Sequence, residues 1–329
     1  MPKRGKIALV VAGGQMSLKG EEETSRQSSK SGETMLSWLP KDLPFEIILV
    51  DWSHQPSSHY TMRMTTDLVQ ILNKLVVDGI DGIVVSSGTD ALEEMSYLAD
   101  LMWTYPQPVI FTAATRPYEE IGSDAVLNLT QAVIAASSQK CWGLGVLVCM
   151  QDQLFAASEI TESANHRRNA FLAPDRGPVG EVMGKNIDIL RLHKRGKVLA
   201  GSFAPARNVE LVTSSLGGGE LVLKLLAETS EKDLDGLVVA GFGDGSVPPS
   251  WIPFLRKILR DNIPIVITSR CIKGRTRPSY TFEGSLDRLL ELGAYDGGSL
   301  KPVQARLKLA VALGAGLKGN DLQKYLLDL

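Results

Sequence analysis

The sequence predicts an α/β protein built on a mostly parallel sheet covered on both faces. Short runs that are apolar throughout, such as KIALVVA at residues 6–12, alternate with longer amphipathic segments. Strands buried on both faces read as continuous Val/Ile/Leu runs, whereas strands of one-sided sheets alternate apolar and polar residues. The 329 residues are too many for one ordinary core, and the alternation starts afresh near residue 209, so two domains are expected.

The first strand, residues 6–12, is broken by Gly13-Gly14, where glycine lets the backbone turn sharply and approach a ligand closely. Residues 17–34 are rich in Ser, Glu and Lys; they read as a loop, either a lid or a solvated connector. Residues 45–50 form a second strand leading into Asp51-Trp-Ser-His54, and residues 67–77 an amphipathic helix. The strand at 83–85 lies between Gly82 and Gly88; residues 91–102 follow as a helix with Leu92, Met95, Leu98, Ala99 and Met102 on one face. Strands at 108–112 and 143–150 flank a helix at 127–137.

Beyond a polar stretch at 193–207, read as a linker, a strand at 209–213 runs into Gly217-Gly-Gly219 and a helix at 220–227. That glycine turn has neither a Walker lysine nor GxGxxG spacing, so phosphate binding is not expected. Strands at 237–241 and 264–269 and helices at 251–259, 286–292, 302–313 and 321–327 complete the chain. The expected organisation is an N-terminal domain over 1–192, a linker over 193–207 and a C-terminal domain over 208–329.

The stretch DGIVVSSGTDALEE, residues 81–94, organises the rest. Ser86 to Asp90 fall at the carboxyl end of a strand and the amino end of a helix, where open α/β sheets bind ligands through free backbone amides. The spacing of Asp90 and Glu93 also fits a capping box, so Thr89 and Asp90 either cap the helix or serve a ligand.

Composition narrows the function classes. A net charge of −2 gives no electrostatic reason to expect nucleic acid or a membrane as partner. Cys141, Cys149 and Cys271 do not form a CxxC pattern, and with four histidines neither a disulfide framework nor a metal site is indicated. No cofactor is expected. With no signal-peptide pattern and no long apolar run, the expected location is cytoplasmic.

Several stretches in order resemble the bacterial two-domain asparaginase/glutaminase family: IALVVAGGQ, DGIVVSSGTDALEE, PVIFTAATRPYEEIGSDAVLNLTQAV, GVLVCMQDQLFAASEIT and DGLVVAGFGDGSVP. The tail from PIVITSRCIKGRTRPSY onward is closer to the cytoplasmic type I branch. The resemblance implies a larger flavodoxin-like N-terminal domain, a smaller C-terminal α/β domain and a homo-oligomer, dimer or tetramer. It implies acyl transfer from a side-chain amide: a threonine in the first glycine turn attacks, and a second threonine works with an aspartate and a lysine.

On this chain the second threonine and the aspartate fall on Thr89 and Asp90, and the serine that holds the substrate carboxylate on Ser53, with His54 and Gly88 lining the same pocket. The first threonine falls on Gln15, whose primary amide has no oxygen nucleophile to offer. The lysine falls on Glu162, where an anion replaces a cation. The 17–34 loop also lacks the tyrosine that relatives place there. The candidate catalytic residues are therefore Thr89, Asp90, Glu162 and Gln15, and the candidate ligand contacts Ser53, His54, Gly88, Thr89 and Asp90. Glu162 either joins Asp90 as an acidic pair or turns outward. His166-Arg167-Arg168 either neutralises that acid or forms a surface patch, while Arg116, Pro117 and Asp124 are read as shaping a turn. Cys271 is expected to be buried. Two classes of function remain: an amidohydrolase-like enzyme with rebuilt catalysis, or a non-catalytic relative that binds an amino-acid-like ligand or a partner.

Overall fold

A computed structural model describes residues 5–14, 16, 32–201, 203–229 and 233–328. The chain divides into two compact units, with the boundary between Val198 and Leu199. Gln15 and residues 17–31 of the expected loop lie outside the described residues.

The first unit carries β1 (Lys6–Ala12), α1 (Gly32–Trp38), β2 (Glu46–Ser53), α2 (Met62–Val77), β3 (Gly82–Ser87), α3 (Leu92–Met102), β4 (Val109–Thr112), α4 (Ala125–Ser137) and β5 (Val146–Met150). Five short strands follow: β6 (Gln153–Ala156), β7 (Thr161–Glu162), β8 (Phe171–Leu172), β9 (Gly180–Met183) and β10 (Asn186–Ile189). Eight strands make one sheet in the order β10-β9-β6-β5-β4-β3-β1-β2, and β7 and β8 pair separately. From β2 to β5 all neighbours are parallel, and the order β2-β1-β3-β4-β5 is the flavodoxin-like one. Beyond β5 the sheet turns antiparallel.

The apolar runs form strands here because both faces are covered. Ile7, Leu9 and Val11 pack in one core with Leu129, Ala132 and Val133 of α4 and Met35 of α1. Ala8 and Val10, pointing the other way, are equally buried, and α3 packs on β4 and β5. At about 25 cal/mol per Å² of apolar surface removed from water, two-sided burial favours Val and Ile at every position of such a strand. The expected face of α3 is correct, since Leu92, Met95, Leu98, Ala99 and Met102 are all buried.

Four details depart from expectation. Residues 32–34, expected at the end of the loop, instead open α1, whose Met35 is buried in the core. The second strand runs on through Ser53 rather than ending at Val50. The helix expected at 67–77 begins five residues earlier, because Thr61 caps it by accepting a hydrogen bond from the Met64 amide. The strands β6 to β10 are absent from the sequence reading, since runs of two to four residues carry no readable period.

The second unit carries β11 (Val209–Thr213), α5 (Glu220–Glu228), β12 (Gly236–Gly241), α6 (Ile252–Arg260), β13 (Ile265–Ser269), α7 (Leu286–Glu291), β14 (Tyr295–Asp296), α8 (Pro302–Gly314) and α9 (Gly319–Leu327). Its four strands are parallel in the order β11-β12-β13-β14. Leu237 and Val239 face a core with Leu223, Trp251 and Leu255, while α8 packs against β11, β12 and β13. The glycine turn before α5 has a packing role: the Trp251 indole donates to the Gly218 carbonyl at 3.2 Å. Cys271 is exposed, which corrects the expectation of burial; it follows β13 on a loop of Arg270, Ile272 and Lys273 that is exposed throughout. No helix among the described residues is long and apolar enough to cross a membrane.

Candidate functional site

The order β2-β1-β3 creates a topological switch point, because the chain leaves β1 towards β2 on one side and reaches β3 on the other. Crevices at the carboxyl ends of such strands are where open α/β sheets bind ligands. Here the turns after β1, β2 and β3 touch one another. Gly14, at φ 84°, lies so close to the β3 turn that a Cβ on it would sit 2.3 Å from the Gly88 nitrogen. A Cβ on Gly88 would sit 2.5 Å from the Ser57 hydroxyl, so the β2 turn closes on the β3 turn from the other side. Backbone approach and a positive φ require glycine at position 14, whereas at position 88 it is the Ser57 side chain that a Cβ would meet. The Ala91 amide donates to Ser57 Oγ at 3.4 Å, adding a polar link between the same two turns.

The end of β2 carries a bulge beside these turns. Val11 pairs with Asp51 and Ala12 with Ser53, which leaves Trp52 without a partner on β1. A bulge of this kind re-aims the residues after it. Ser53 Oγ accepts from the Gln55 amide at 3.3 Å, and Tyr60 donates its hydroxyl proton to the Ala12 carbonyl at 2.8 Å. Burial raises the Tyr60 phenol above its ordinary range, with the hydrogen bond to Ser53 opposing. His54 Nε2 lies 3.2 Å from Asp51 Oδ1. Its Nδ1 is shielded from solvent and has no hydrogen-bond partner among the described residues.

Thr89 is half-buried and Asp90 exposed on the turn that leads into α3. The helix starts later than a capping box at Asp90 would require. Ala91 holds the N-cap position without a side-chain bond, and the Leu92 amide donates to the Thr89 carbonyl at 3.1 Å. The Glu93 carboxylate instead accepts from the Thr161 hydroxyl at 2.9 Å and from the Glu162 amide at 3.0 Å, through the same Oε2. Burial holds Glu93 above the ordinary carboxyl range, while these two donors pull the other way.

Glu162 is exposed on β7. Desolvation, then the Asp90 charge, then the Glu93 charge raise its carboxyl above the ordinary range. Among the described residues no cation forms an ion pair with Asp90 or Glu162. Arg168 is committed elsewhere, donating to the Gly122 carbonyl at 2.7 Å. The structure thus brings the turns bearing Ser53, His54, Gly88, Thr89 and Asp90 together at the switch point, and the Asp90 charge acts on Glu162. Gln15 is outside the described residues.

Residues whose part here the sequence did not reveal include Ser57, Tyr60, Asp51 and Glu93, the last expected only as half of a capping box. Each acts through a partner remote in sequence or through an unforeseen bulge; only Asp51-x-x-His54 is a local signal. Asp124, read as shaping a turn, does so through its carboxylate, which accepts from the Thr115 amide and hydroxyl, the Arg116 amide and Asn128 Nδ2. Among the described residues no group of three or more His, Cys, Asp or Glu side chains is arranged to hold a metal ion.

The fold defines a doubly wound α/β protein in which the turns after β1, β2 and β3 meet at the carboxyl edge of its parallel strands. Residues 6–195 match the model of the N-terminal asparaginase domain, and residues 208–326 match the glutaminase/asparaginase C-terminal domain; the chain belongs to this asparaginase/glutaminase family. It is 29% identical over 319 residues to an L-asparaginase of Bacillus licheniformis, covering 95% of this chain and 97% of that one. It is also 29% identical over 279 residues to a glutaminase-asparaginase of Pseudomonas aeruginosa, covering 82% and 74%. The crystal structure of a probable cytoplasmic L-asparaginase from Campylobacter jejuni superposes with a TM-score of 0.87 at 25% identity, covering 99% of this chain and 100% of that one.

Proposed function

We propose that this chain is an amidohydrolase-type protein whose crevice takes an amino acid or its amide, with a catalytic set altered from that of an ordinary asparaginase. The observation that carries the reading is the convergence of the three turns after β1, β2 and β3 at the switch point, with the Glu162 carboxyl close enough to feel the Asp90 charge. Ser53 and His54 would hold the α-carboxylate and amine end, and Thr89 and Asp90 the reacting end. In this reading Gln15 and Glu162 stand where the family uses a threonine and a lysine. Thr89 is then the available oxygen nucleophile, and Glu162, with its proton held more tightly than usual, the available general base. A non-catalytic binding role is the second reading, favoured by that same pair of replacements. The similarity to a probable cytoplasmic asparaginase supports a cytoplasmic location.

A thermal-shift screen over amino acids and their amides tests ligand binding, because a ligand that binds only the native state raises its melting temperature. Failure of every such compound to shift it would sink the proposal. Asparagine hydrolysis by the wild-type chain should fall orders of magnitude below ordinary enzymatic turnover of about 10 per second. If hydrolysis is nevertheless measured, Thr89→Val should abolish it; activity that survives would exclude Thr89. The double variant Gln15→Thr, Glu162→Lys should gain ammonia release from asparagine.

A further inference from the structure

Glu93 lies in the first turn of α3, three residues after Asp90, yet it makes no cap for its own helix. One of its carboxylate oxygens receives two donors from β7: the Thr161 hydroxyl at 2.9 Å and the Glu162 backbone amide at 3.0 Å. Those donors are 68 and 69 residues away in sequence, so the contact joins two parts of the unit that no local structure holds together. The need for such a tie is plain from β7 itself. It is two residues long, pairs only with the equally short β8, and belongs to neither larger sheet. Hydrogen bonds to a charged acceptor are shorter and stronger than neutral ones, and this acceptor is half-buried.

We propose that Glu93 is the positioning residue of this site: its two hydrogen bonds lock β7 to the first turn of α3 and thereby set the Glu162 carboxyl beside the Thr89–Asp90 turn. The proposal deepens the reading of the crevice as a ligand site, since it says what places the acid that distinguishes the site. A purely electrostatic role for Glu93 is the competing account. Its charge adds to the elevation of the Glu162 carboxyl, but as the smallest of three causes, after burial and Asp90. Position should therefore matter more than charge.

The test needs no ligand, so its outcome is independent of whether any amino acid binds. Glutamate side chains are labelled with ¹³C at the carboxyl, the Glu162 resonance is assigned by its loss in Glu162→Gln, and its titration is followed in wild type, Glu93→Gln, Glu93→Ala and Thr161→Val. The glutamine amide oxygen can still accept both bonds, so Glu93→Gln should keep the Glu162 midpoint close to that of wild type. Glu93→Ala should drop it into the ordinary glutamate range as β7 comes free, and Thr161→Val, which removes one donor, should fall between. Hydrogen exchange of the Glu162 amide should accelerate in Glu93→Ala and be restored in Glu93→Gln. An equal drop in the Gln and Ala variants would show that only charge matters and overturn the proposal, as would an unchanged midpoint in Glu93→Ala. Alanine is a strong helix former, and Thr161→Val probes the same contact from the other strand, so the result does not depend on one variant folding.

Discussion

Asp90 and Glu162 carry like charges on neighbouring elements, and the direction of their coupling sets a pH dependence. The Glu162 carboxyl titrates above the ordinary glutamate range, with burial first and Asp90 second among the causes. A group whose folded-state value is raised contributes stability below its unfolded value and loses it as pH rises through the folded value. Glu162→Gln should therefore be more stable than wild type at pH 7, and that advantage should vanish on acidification to pH 4. Urea midpoints at the two pH values check the sign. Where an amino-acid ligand is found, its affinity should also lose pH dependence in Glu162→Gln. An unchanged profile would identify Glu162 as a solvated surface acid.

The turns between elements carry the site, and two substitutions probe them. Gly14→Ala would strain a backbone at φ 84° and drive a Cβ to 2.3 Å from the Gly88 nitrogen. Neither chain can give way without moving a strand end, so the loss should be at least about 2 kcal/mol in denaturant unfolding. Any ligand-induced thermal shift should shrink with it. Asp124→Ala removes the acceptor that ties the turn after β4 to the start of α4. It leaves the buried Thr115 amide and Asn128 side chain short of partners, and the expected loss is about 3 kcal/mol. A loss under 1 kcal/mol would mean that water replaces the carboxylate.

Across the whole molecule, the segment that leaves the first unit is held by charge. Arg195 Nε lies 2.9 Å from Asp100 Oδ1, its Nη2 donates to the Asp100 and Trp103 carbonyls at 2.6 Å, and Arg191 pairs with Glu159. His193 sits between them. Burial holds its imidazole below the ordinary histidine range; Asp100 and Glu159 oppose this, and Arg191 and Arg195 add to it. A depressed folded-state value means stability that is present above the unfolded value and lost as pH falls through the folded one. His193→Gln should therefore flatten the decline in stability as pH falls below about 6.5, the ordinary histidine value. Light scattering should find a homo-oligomer, the expectation that the family resemblance carries; a species no larger than one chain at micromolar concentration would sink it.

What could be read from the sequence follows the range of the interactions involved. The parallel strands β1 to β5 and the helices α2, α3 and α4 were legible because two-sided burial writes an unbroken apolar run and a helix face writes a 3.6-residue period, whereas the seven-residue α1 was not. The meeting of turns at the switch point was legible for the same reason, since Gly13-Gly14 and Gly88-Thr89-Asp90 end two such runs. The short strands β6 to β10 were not, because two to four residues cannot show a period. The capping box at Asp90 and Glu93 failed because spacing identifies possible bonds but not competing ones. Thr161 and Glu162, nearly seventy residues on, supply donors that the Glu93 carboxylate takes in place of its own helix. Cys271 is exposed for a like reason: the apolar run of β13 ends at Ser269, and only the fold decides that the next residues leave the core. Composition and periodicity thus determined the long parallel strands, most of the helices that cover them, and which turns meet at the switch point. Tertiary structure alone decided which carboxylates face one another, because that depends on pairings between residues that no local pattern relates.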